Sequence, residues 1–227
     1  MEGTRSLILQ QLQGNGAGTV AGLASALGLA PATIRQHLDI LQRNHMVTYE
    51  MARKKMGRPE HSFYLTEEGH EAMPKGYGRL LGMMMEEMST LTTNDTKARD
   101  GSNLLKFVLT RISEKVSRQY GNQTEGKTLS DRLTALMHHL KQDDFSPEAE
   151  VVDGTLQIKL SNCPFRSVAM QNKAVCTFDL NLIANILDLE ISRDECIHDG
   201  SGSCTYSADI NPQAAEALML DGRTTSR

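Results

Sequence analysis

Residues 19–41 read TVAGLASALGLAPATIRQHLDIL, and this stretch decides the fold of the N-terminal part of the chain. Thr19 can cap a short helix, and Gly28 can end it. Pro31 then stands where the first turn of a following helix tolerates proline. Two helices joined by so tight a turn predict a helix-turn-helix.

The flanking segments extend this motif to a winged helix. A helix is predicted over 4–13, ahead of the two helices, and β-like segments follow them at 46–50 and 62–66. The basic loop RKKMGRP, residues 53–59, lies between these two strands. Three helices followed by a basic hairpin predict a winged helix-turn-helix domain over residues 1–75.

The third helix of this domain carries the side chains expected to read DNA. In helix-turn-helix proteins, the first residues of this helix reach base edges in the major groove. Arginine suits guanine and glutamine suits adenine, each through two hydrogen bonds. Polar side chains on an outer helix face can also be merely solvated, but the winged-helix pattern favours DNA contact. The predicted base-reading residues are Thr33, Arg35, Gln36 and His37.

The predicted wing concentrates positive charge without an intervening acid. Such a loop beside a recognition helix can neutralise phosphates and release counterions. Contacts of this kind position a protein on the duplex rather than read its sequence. The predicted phosphate-contacting residues are Arg53, Lys54, Lys55 and Arg58.

Residues 76–142 are predicted to be a helical region. Its expected elements are a helix over 69–88, a linker over 89–101 and helices over 102–120 and 130–141. The Leu/Met faces of 79–91 and 102–116 either dimerise two copies or pack within one chain. A dimer would present two recognition helices to two half-sites. The adjacent histidines His138 and His139 are expected at the surface, because neighbours on a helix point about 100° apart.

In the C-terminal third of the chain, apolar residues recur at every second position, which is typical of strands. A hairpin is predicted to turn at Asp153-Gly154, followed by a helix over 177–187 and two further strands. Residues 143–221 therefore read as a small, cysteine-rich α+β domain, with 222–227 as a tail. The whole chain is predicted to be an α+β protein: a winged helix-turn-helix, central dimerising helices and this domain.

The composition argues against an enzyme. Aromatic residues make up only 4% of the 227 residues and tryptophan is missing, so a pocket lined with rings is not expected. The sequence also lacks the glycine-rich phosphate-binding motif and the serine nucleophile motif. Without a signal-peptide pattern or an apolar run near the roughly 20 residues of a membrane helix, a cytoplasmic protein is expected.

The charge is unevenly distributed along the chain. The net charge is −4, yet residues 1–75 carry eight Lys/Arg against seven Asp/Glu, whereas residues 143–227 carry six against fourteen. Only the N-terminal region is therefore expected to approach a polyanion.

Four cysteines in the last third of the chain are candidate ligands. They are Cys163, Cys176, Cys196 and Cys204. Their spacing lacks the paired C-x2-C of zinc ribbons, which disfavours zinc without excluding it. Thiols at loops and helix edges suit an iron–sulfur cluster, and helix starts at Cys163 and Cys176 predict thiolates. Alternatives are structural zinc, a thiol/disulfide switch and a small-molecule sensor.

The order of these motifs resembles a known family. The chain resembles the SufR-type regulators in three motifs. These are a wing containing Gly57-Arg58-Pro59, a Leu65-Thr66-x-x-Gly69 segment and Asn162-Cys163-Pro164-Phe165 with later cysteines. SufR-type regulators are iron–sulfur repressors of cluster-assembly genes, related to the DeoR/ArsR-like winged-helix group. The resemblance implies a homodimeric repressor whose cluster, [4Fe–4S] rather than [2Fe–2S], controls its affinity for operator DNA.

The same resemblance implies the ligand set. Cys163, Cys176 and Cys204 match the family's ligand cysteines, whereas Cys196 departs in position from its four-cysteine members. The fourth ligand therefore stays open among Cys196, His198, Asp199 and a small molecule.

Overall fold

The computed structural model describes residues 3–52, 60–97, 99–121, 127–220 and 225–226. The chain divides into two compact units, an N-terminal unit over Met1–Pro74 and a C-terminal unit over Lys75–Arg227. Each unit has its own hydrophobic core.

The N-terminal unit is a winged helix, as predicted. Its elements are α1 (Thr4–Asn15), β1 (Gly18–Thr19), α2 (Val20–Leu27), α3 (Pro31–Arg43), β2 (Val47–Ala52), β3 (Glu60–Leu65) and α4 (Glu67–Glu71). The three strands form an antiparallel sheet in the order β1-β3-β2. The two-residue strand β1 was not predicted, because two residues carry no periodicity.

Local signals set the ends of the two central helices. The Thr19 side chain accepts a 3.1 Å hydrogen bond from the Gly22 N–H, and so caps α2. Gly28 ends α2 in the left-handed conformation with φ of 65°, and Pro31 occupies the first turn of α3. These three predictions are confirmed.

The Leu65-Thr66-x-x-Gly69 segment joins the wing to α4 by close packing. The Thr66 hydroxyl accepts a 3.1 Å hydrogen bond from the Gly69 N–H, which caps the helix. A Cβ atom at Gly69 would lie 2.0 Å from the carbonyl oxygen of Met46. Only glycine therefore fits here without movement of the backbone.

The C-terminal unit contains seven helices of the α type among the residues described there. They are α5 (Tyr77–Ser89), α6 (Thr93–Thr96), α7 (Gly101–Gly121), α8 (Leu129–Gln142), α9 (Arg166–Gln171), α10 (Thr177–Leu187) and α11 (Pro212–Leu220). Short 3-10 helices cover Lys173–Cys176 and Ile197–Asp199. The predicted helix over 177–187 is confirmed, and the side chain of Thr128 caps α8.

The strands of this unit form one mixed sheet. They are β4 (Pro147–Val152), β5 (Thr155–Leu160), β6 (Ser192–Glu195), β7 (Cys204–Asp209) and β8 (Thr225–Ser226), in the order β6-β7-β5-β4-β8. Asp153 and Gly154 both have positive φ, 49° and 80°, at the predicted hairpin turn between β4 and β5. Of the predicted tail, 225–226 pair with β4, and the remaining positions 222–224 and 227 lie outside the described residues.

The predicted helix over 69–88 is wrong as a single element. Two helices occupy this stretch, because Pro74 cannot continue α4 and a new helix begins at Tyr77. The predicted linker over 89–101 also contains α6, which Thr92 and Asp95 stabilise through a capping box.

The helices of 76–142 share one core with the strands that follow them. Val108, Leu109 and Ile112 of α7 are buried there together with side chains of β5 and α10. The apolar face of 102–116 therefore packs within one chain, which is one of the two alternatives left open by the sequence.

The prediction that His139 lies at the surface is wrong, because the residue is only 3% exposed. Its ring packs against that of Tyr120 with 4.0 Å between the centroids.

Candidate DNA interface and buried cysteine cluster

The recognition helix α3 separates its residues onto two faces. Ile34, Leu38 and Leu41 are buried in the core of the N-terminal unit, which fixes the rotation of the helix about its axis. Arg35 and Gln36 consequently lie on the exposed face near the N-terminal end. This placement leaves both side chains available to base edges.

The other two predicted base-reading residues, Thr33 and His37, are half-buried. They lie beside the core-facing positions of α3 and present less of their surface. The predicted phosphate contacts Arg53, Lys54, Lys55 and Arg58 lie outside the described residues.

An aromatic pair on the wing strands was missed by the sequence analysis. Tyr49 of β2 and His61 of β3 stack with 4.1 Å between ring centroids and 16° between their planes. Tyr49 is 38% exposed and neighbouring Met51 is 59% exposed. The apolar and aromatic side chains on this face of the sheet thus extend beyond the core into solvent. The signal for this was the alternation of such residues along both strands.

Residues 161–167, here called the cysteine loop, link β5 to α9. Asn162 is buried, and its side-chain amide donates a hydrogen bond to the carbonyl oxygen of Asp144. Phe165 packs edge-on between Phe145 and Phe178, with centroid distances of 5.8 and 5.9 Å. The asparagine and phenylalanine of the Asn-Cys-Pro-Phe motif therefore anchor the loop on both sides of Cys163.

The four cysteines, here called the cysteine cluster, belong to the core of the C-terminal unit, where Cys163 is half-buried and the other three are buried. Cys176 ends a 3-10 helix at the start of α10, while Cys196 and Cys204 flank the turn between β6 and β7. The sulfurs of Cys196 and Cys204 lie 4.0 Å apart, and the pKa values of Cys176 and Cys204 are each influenced by Cys163 and Cys196. The fold thus brings together four residues that span 42 positions of sequence.

Three further polar residues surround the cysteine cluster, and the sequence analysis missed all of them. Asp179 is buried and accepts a 2.7 Å hydrogen bond from the hydroxyl of fully buried Tyr206. Nη1 of Arg193 lies 3.8 Å from Sγ of Cys196, and its guanidinium stands over the Tyr206 ring. For Asp179 the available signal was its charge, because it is the one charged residue of α10 and lies three residues after Cys176.

Burial dominates the acid–base properties of these thiols. It raises the pKa of Cys163 to about 12, and the nearby Asp179 carboxyl contributes to the shift. The pKa values of Cys176 and Cys204 are raised by the same two causes, in the same order. The prediction that helix starts favour thiolates at Cys163 and Cys176 is therefore wrong, because desolvation outweighs the helix dipole.

Cysteine sulfurs hold either a single zinc ion or the several irons of an iron–sulfur cluster. Among the described residues, which include all four cysteines, no group of three or more Cys, His, Asp or Glu side chains is placed to hold a metal ion. Sulfurs bound to one tetrahedral zinc lie about 3.8 Å apart. The 4.0 Å between Sγ of Cys196 and Sγ of Cys204 approaches this value for a single pair. A mononuclear zinc site does not fit this arrangement.

A thiolate-ligated cluster fits in the kind and number of its donors. Iron–sulfur clusters are held by cysteine sulfurs distributed over several iron atoms. The chain supplies four such sulfurs here, and the positive charge of Arg193 lies near those of Cys196 and Cys176. His198 and Asp199 contact each other at 3.0 Å, and Asp199 also pairs with Lys173 at 2.6 Å, so both are engaged elsewhere.

Comparisons with known proteins match the N-terminal part of the chain. Residues 2–49 match the family model for "Bacterial regulatory protein, arsR family". No curated protein matches the chain in sequence. The solved structure of Bacillus subtilis PadR in complex with operator DNA is similar at 13% identity and a TM-score of 0.28, over 81% of this chain and 97% of that one.

Within the described residues, no helix is both long enough and apolar enough to cross a membrane. The family match covers α1 to α3, and the exposed Arg35 and Gln36 lie on the helix that enters the major groove in such domains. The chain is a DNA-binding transcriptional regulator, and its residues 2–49 are similar to the arsR family of bacterial regulatory proteins.

Proposed function

We propose that this regulator is a repressor whose affinity for operator DNA depends on an iron–sulfur cluster held by the cysteine cluster. The observation that carries the proposal is the convergence of four sulfurs around the buried Asp179, Tyr206 and Arg193. The resemblance of the cysteine loop to SufR-type regulators supports it. On that basis the regulated genes would serve cluster assembly or the response to iron and redox stress, and no catalytic step is involved.

Cys163, Cys176 and Cys204 would hold the cluster, with [4Fe–4S] favoured over [2Fe–2S]. Each iron of a [4Fe–4S] cluster takes one cysteine, so its ligand sulfurs stand apart. Cys196 lies only 4.0 Å from Cys204, sulfur to sulfur, so one of the two would serve as a ligand, and the resemblance to SufR-type regulators favours Cys204. When bound, the cluster would supply a crosslink among the thiolates that oxidation or loss of iron breaks.

The route from the cysteine cluster to the DNA-binding unit would begin at the cysteine loop. The N–H of Gly76 donates a 2.9 Å hydrogen bond to the carbonyl of Pro164, and the Ser167 N–H donates a 3.1 Å bond to the Tyr77 hydroxyl. Nζ of Lys75 donates to the carbonyl of Cys163 at 3.3 Å. These three partners directly follow Pro74, the last residue of the N-terminal unit. A shift of the cysteine loop would therefore also move the residues that directly follow Pro74.

Anaerobic purification with iron, sulfide and zinc analysis tests the proposal. Iron and acid-labile sulfide with a broad absorbance near about 400 nm are expected, together with operator affinity that changes about 5- to 150-fold on iron removal. Cys163→Ser should abolish the cluster, whereas Tyr77→Phe should retain it and weaken only the coupling. A colourless chain with one zinc, or equal affinity with and without iron, would contradict the proposal.

We further propose that the regulator acts as a homodimer through the outer face of α5. Leu81, Met85 and Met88 recur at helical spacing there and are 60%, 65% and 52% exposed. Met83 and Met84 turn toward the core instead, so the outer residues are not required for folding the single chain. Paired recognition helices on two half-sites would explain why a second copy is needed.

Analytical ultracentrifugation tests the dimer. Met85→Glu should shift the chain toward the monomer and weaken operator binding. Met170→Glu is the matched control, because Met170 is also exposed, at 40%, but lies on α9. Equal effects of the two substitutions would exclude α5 as the interface.

A further inference from the structure

We propose that Cys196 and Cys204 form a reversible disulfide that closes the loop 197–203. While this bond exists, the Cys204 sulfur cannot bind a metal. The disulfide rests on the geometry of the β6–β7 hairpin. Its effect on DNA binding rests on the proposed function.

The register of the hairpin places the two cysteines opposite each other. Glu195 of β6 pairs with Thr205 of β7, directly after a register shift at Arg193/Glu195. Extending this pairing by one position beyond the end of β6 would set Cys196 against Cys204. Directly opposite residues of antiparallel strands have Cα atoms about 4.5–5.5 Å apart. This range lies within the roughly 4.4–6.8 Å that a disulfide spans.

The side chains already face each other across the hairpin. Sγ of Cys196 and Sγ of Cys204 are 4.0 Å apart, and both residues are buried. Rotation about the Cα–Cβ bonds can bring the sulfurs to the bonding distance of about 2.05 Å. The first part of the loop is held to Cys196, because the N–H groups of Asp199 and Ser201 both donate to the Cys196 carbonyl.

Each sulfur has a hydrogen-bond donor beside it. Nη1 of Arg193 lies 3.8 Å from Sγ of Cys196, and the N–H of Ile197 lies 3.4 Å from Sγ of Cys204. Hydrogen bonds become stronger when the acceptor is anionic, and the thiolate is the attacking form of cysteine. Burial and the Asp179 carboxyl raise the pKa of Cys204, and the hydrogen bond from the Ile197 N–H opposes this shift.

The oxidation is balanced with a peroxide as the oxidant. One thiolate attacks the O–O bond of hydrogen peroxide and forms a sulfenic acid, and the released hydroxide takes a proton to become water. The second thiolate then attacks this sulfur. The S–S bond forms, the S–O bond breaks, and a second water leaves. Two thiols and one peroxide thus give one disulfide and two waters, and a dithiol reductant restores both thiols.

The disulfide would compete directly with metal binding. A sulfur in a disulfide cannot act as a thiolate ligand, and Cys204 belongs to the proposed ligand set. Oxidation after loss of the cluster would therefore hold the regulator in its iron-free form until the disulfide is reduced.

Peptide mapping of the full-length chain tests the disulfide. The purified protein, with its iron content measured, is treated with hydrogen peroxide, alkylated and digested without reductant. A linked Cys196–Cys204 peptide is expected, and it should disappear after dithiothreitol treatment. Linkage of another pair, or full alkylation of both cysteines, would overturn the inference.

Serine variants provide the matched controls, with circular dichroism as a check on folding. Cys196→Ser should lose the linked peptide, whereas Cys176→Ser should retain it. Retention of the linked mass in Cys196→Ser would count against the pairing. A chain that forms the disulfide but never binds iron would refute only the proposed function. One that binds iron but forms no disulfide after iron removal would refute only this inference.

Discussion

The backbone N–H of Gly76 donates a 2.9 Å hydrogen bond to the carbonyl oxygen of Pro164. This bond fastens the start of α5 to the cysteine loop, next to Cys163. The guanidinium of Arg79, one turn further along α5, stands 5.8 Å from the centre of the Phe165 ring and also pairs with Asp143. The beginning of α5 is thus defined by contacts with the loop that carries the first cysteine.

Gly76→Ala should destabilise the C-terminal unit. A Cβ atom there would lie 3.0 Å from Cε1 of Phe165, which is buried and cannot yield easily, and 2.9 Å from Nη2 of Arg79. We expect a loss of about 1–3 kcal/mol in the free energy of unfolding, measured by urea titration with circular dichroism. Gly82→Ala is the control: it meets open space in α5 and should stabilise by about 0.5–1 kcal/mol. Equal signs would contradict the close packing at Gly76.

Arg35→Ala should relax base preference in operator binding. Arg35 is exposed near the N-terminal end of α3, where an arginine can bind guanine with two hydrogen bonds worth about 1–3 kcal/mol. Arg43→Ala removes the same charge from the last turn of that helix and should leave base preference intact. Binding to an operator and to single-base variants, at two salt concentrations, distinguishes them. If both substitutions weaken all sequences alike, Arg35 contacts phosphates only.

Acidification should destabilise the protein through His139. Burial lowers the pKa of His139 below its usual 6.5, although the Asp143 carboxylate 3.3 Å away opposes this shift. Below pH 6.5 the unfolded chain binds a proton that the folded chain resists, so stability is present above that pH and lost as the pH falls. The slope for one group is at most about 1.4 kcal/mol per pH unit.

Urea unfolding between about pH 5.5 and about pH 7.5, one unit on either side of an ordinary histidine pKa, measures this slope. His139→Phe should flatten it, because phenylalanine keeps the packing against Tyr120 but cannot titrate. The exposed neighbour supplies the control, and His138→Gln should leave the slope as it is. An unchanged slope in His139→Phe would assign the acid sensitivity to another group.

Tyr206→Phe should cost about 1–3 kcal/mol of unfolding free energy. The substitution removes the 2.7 Å hydrogen bond to Asp179 and leaves a buried carboxyl with one partner fewer. Tyr64→Phe deletes the same hydroxyl from a half-buried residue whose 3.3 Å bond to Glu50 is exposed to solvent, and should change stability by less than about 0.5 kcal/mol. Comparable losses in the two variants would mean that the buried hydrogen bond contributes little.

Predictions from local signals succeeded where one residue type decides one turn. Thr19, Gly28 and Pro31 define the helix-turn-helix, and Asp153-Gly154 defines the hairpin, because each position needs a particular cap or backbone conformation. The prediction of one helix over 69–88 was wrong although the sequence contains Pro74, because the helical spacing of apolar residues continues on both sides of this proline.

Properties that depend on burial were predicted wrongly or missed. The environment of His139 and the raised thiol pKa of Cys163 arise from residues distant in sequence that remove water from each group. Asp179 and Tyr206, separated by 27 positions, meet only because α10 packs on the sheet. No local pattern encodes such an encounter.

The sequence by itself determined the winged helix, the exposed faces of its recognition helix and the identity of the four sulfur donors. It did so because helix caps, apolar periodicity and residue chemistry act over a few neighbouring positions. Tertiary structure alone decided that the four cysteines share one buried region and that Cys196 faces Cys204 at 4.0 Å. It also decided that the cysteine loop is bound to the start of α5. These relationships depend on strand register and on the exclusion of water from a shared core, which only the folded chain creates.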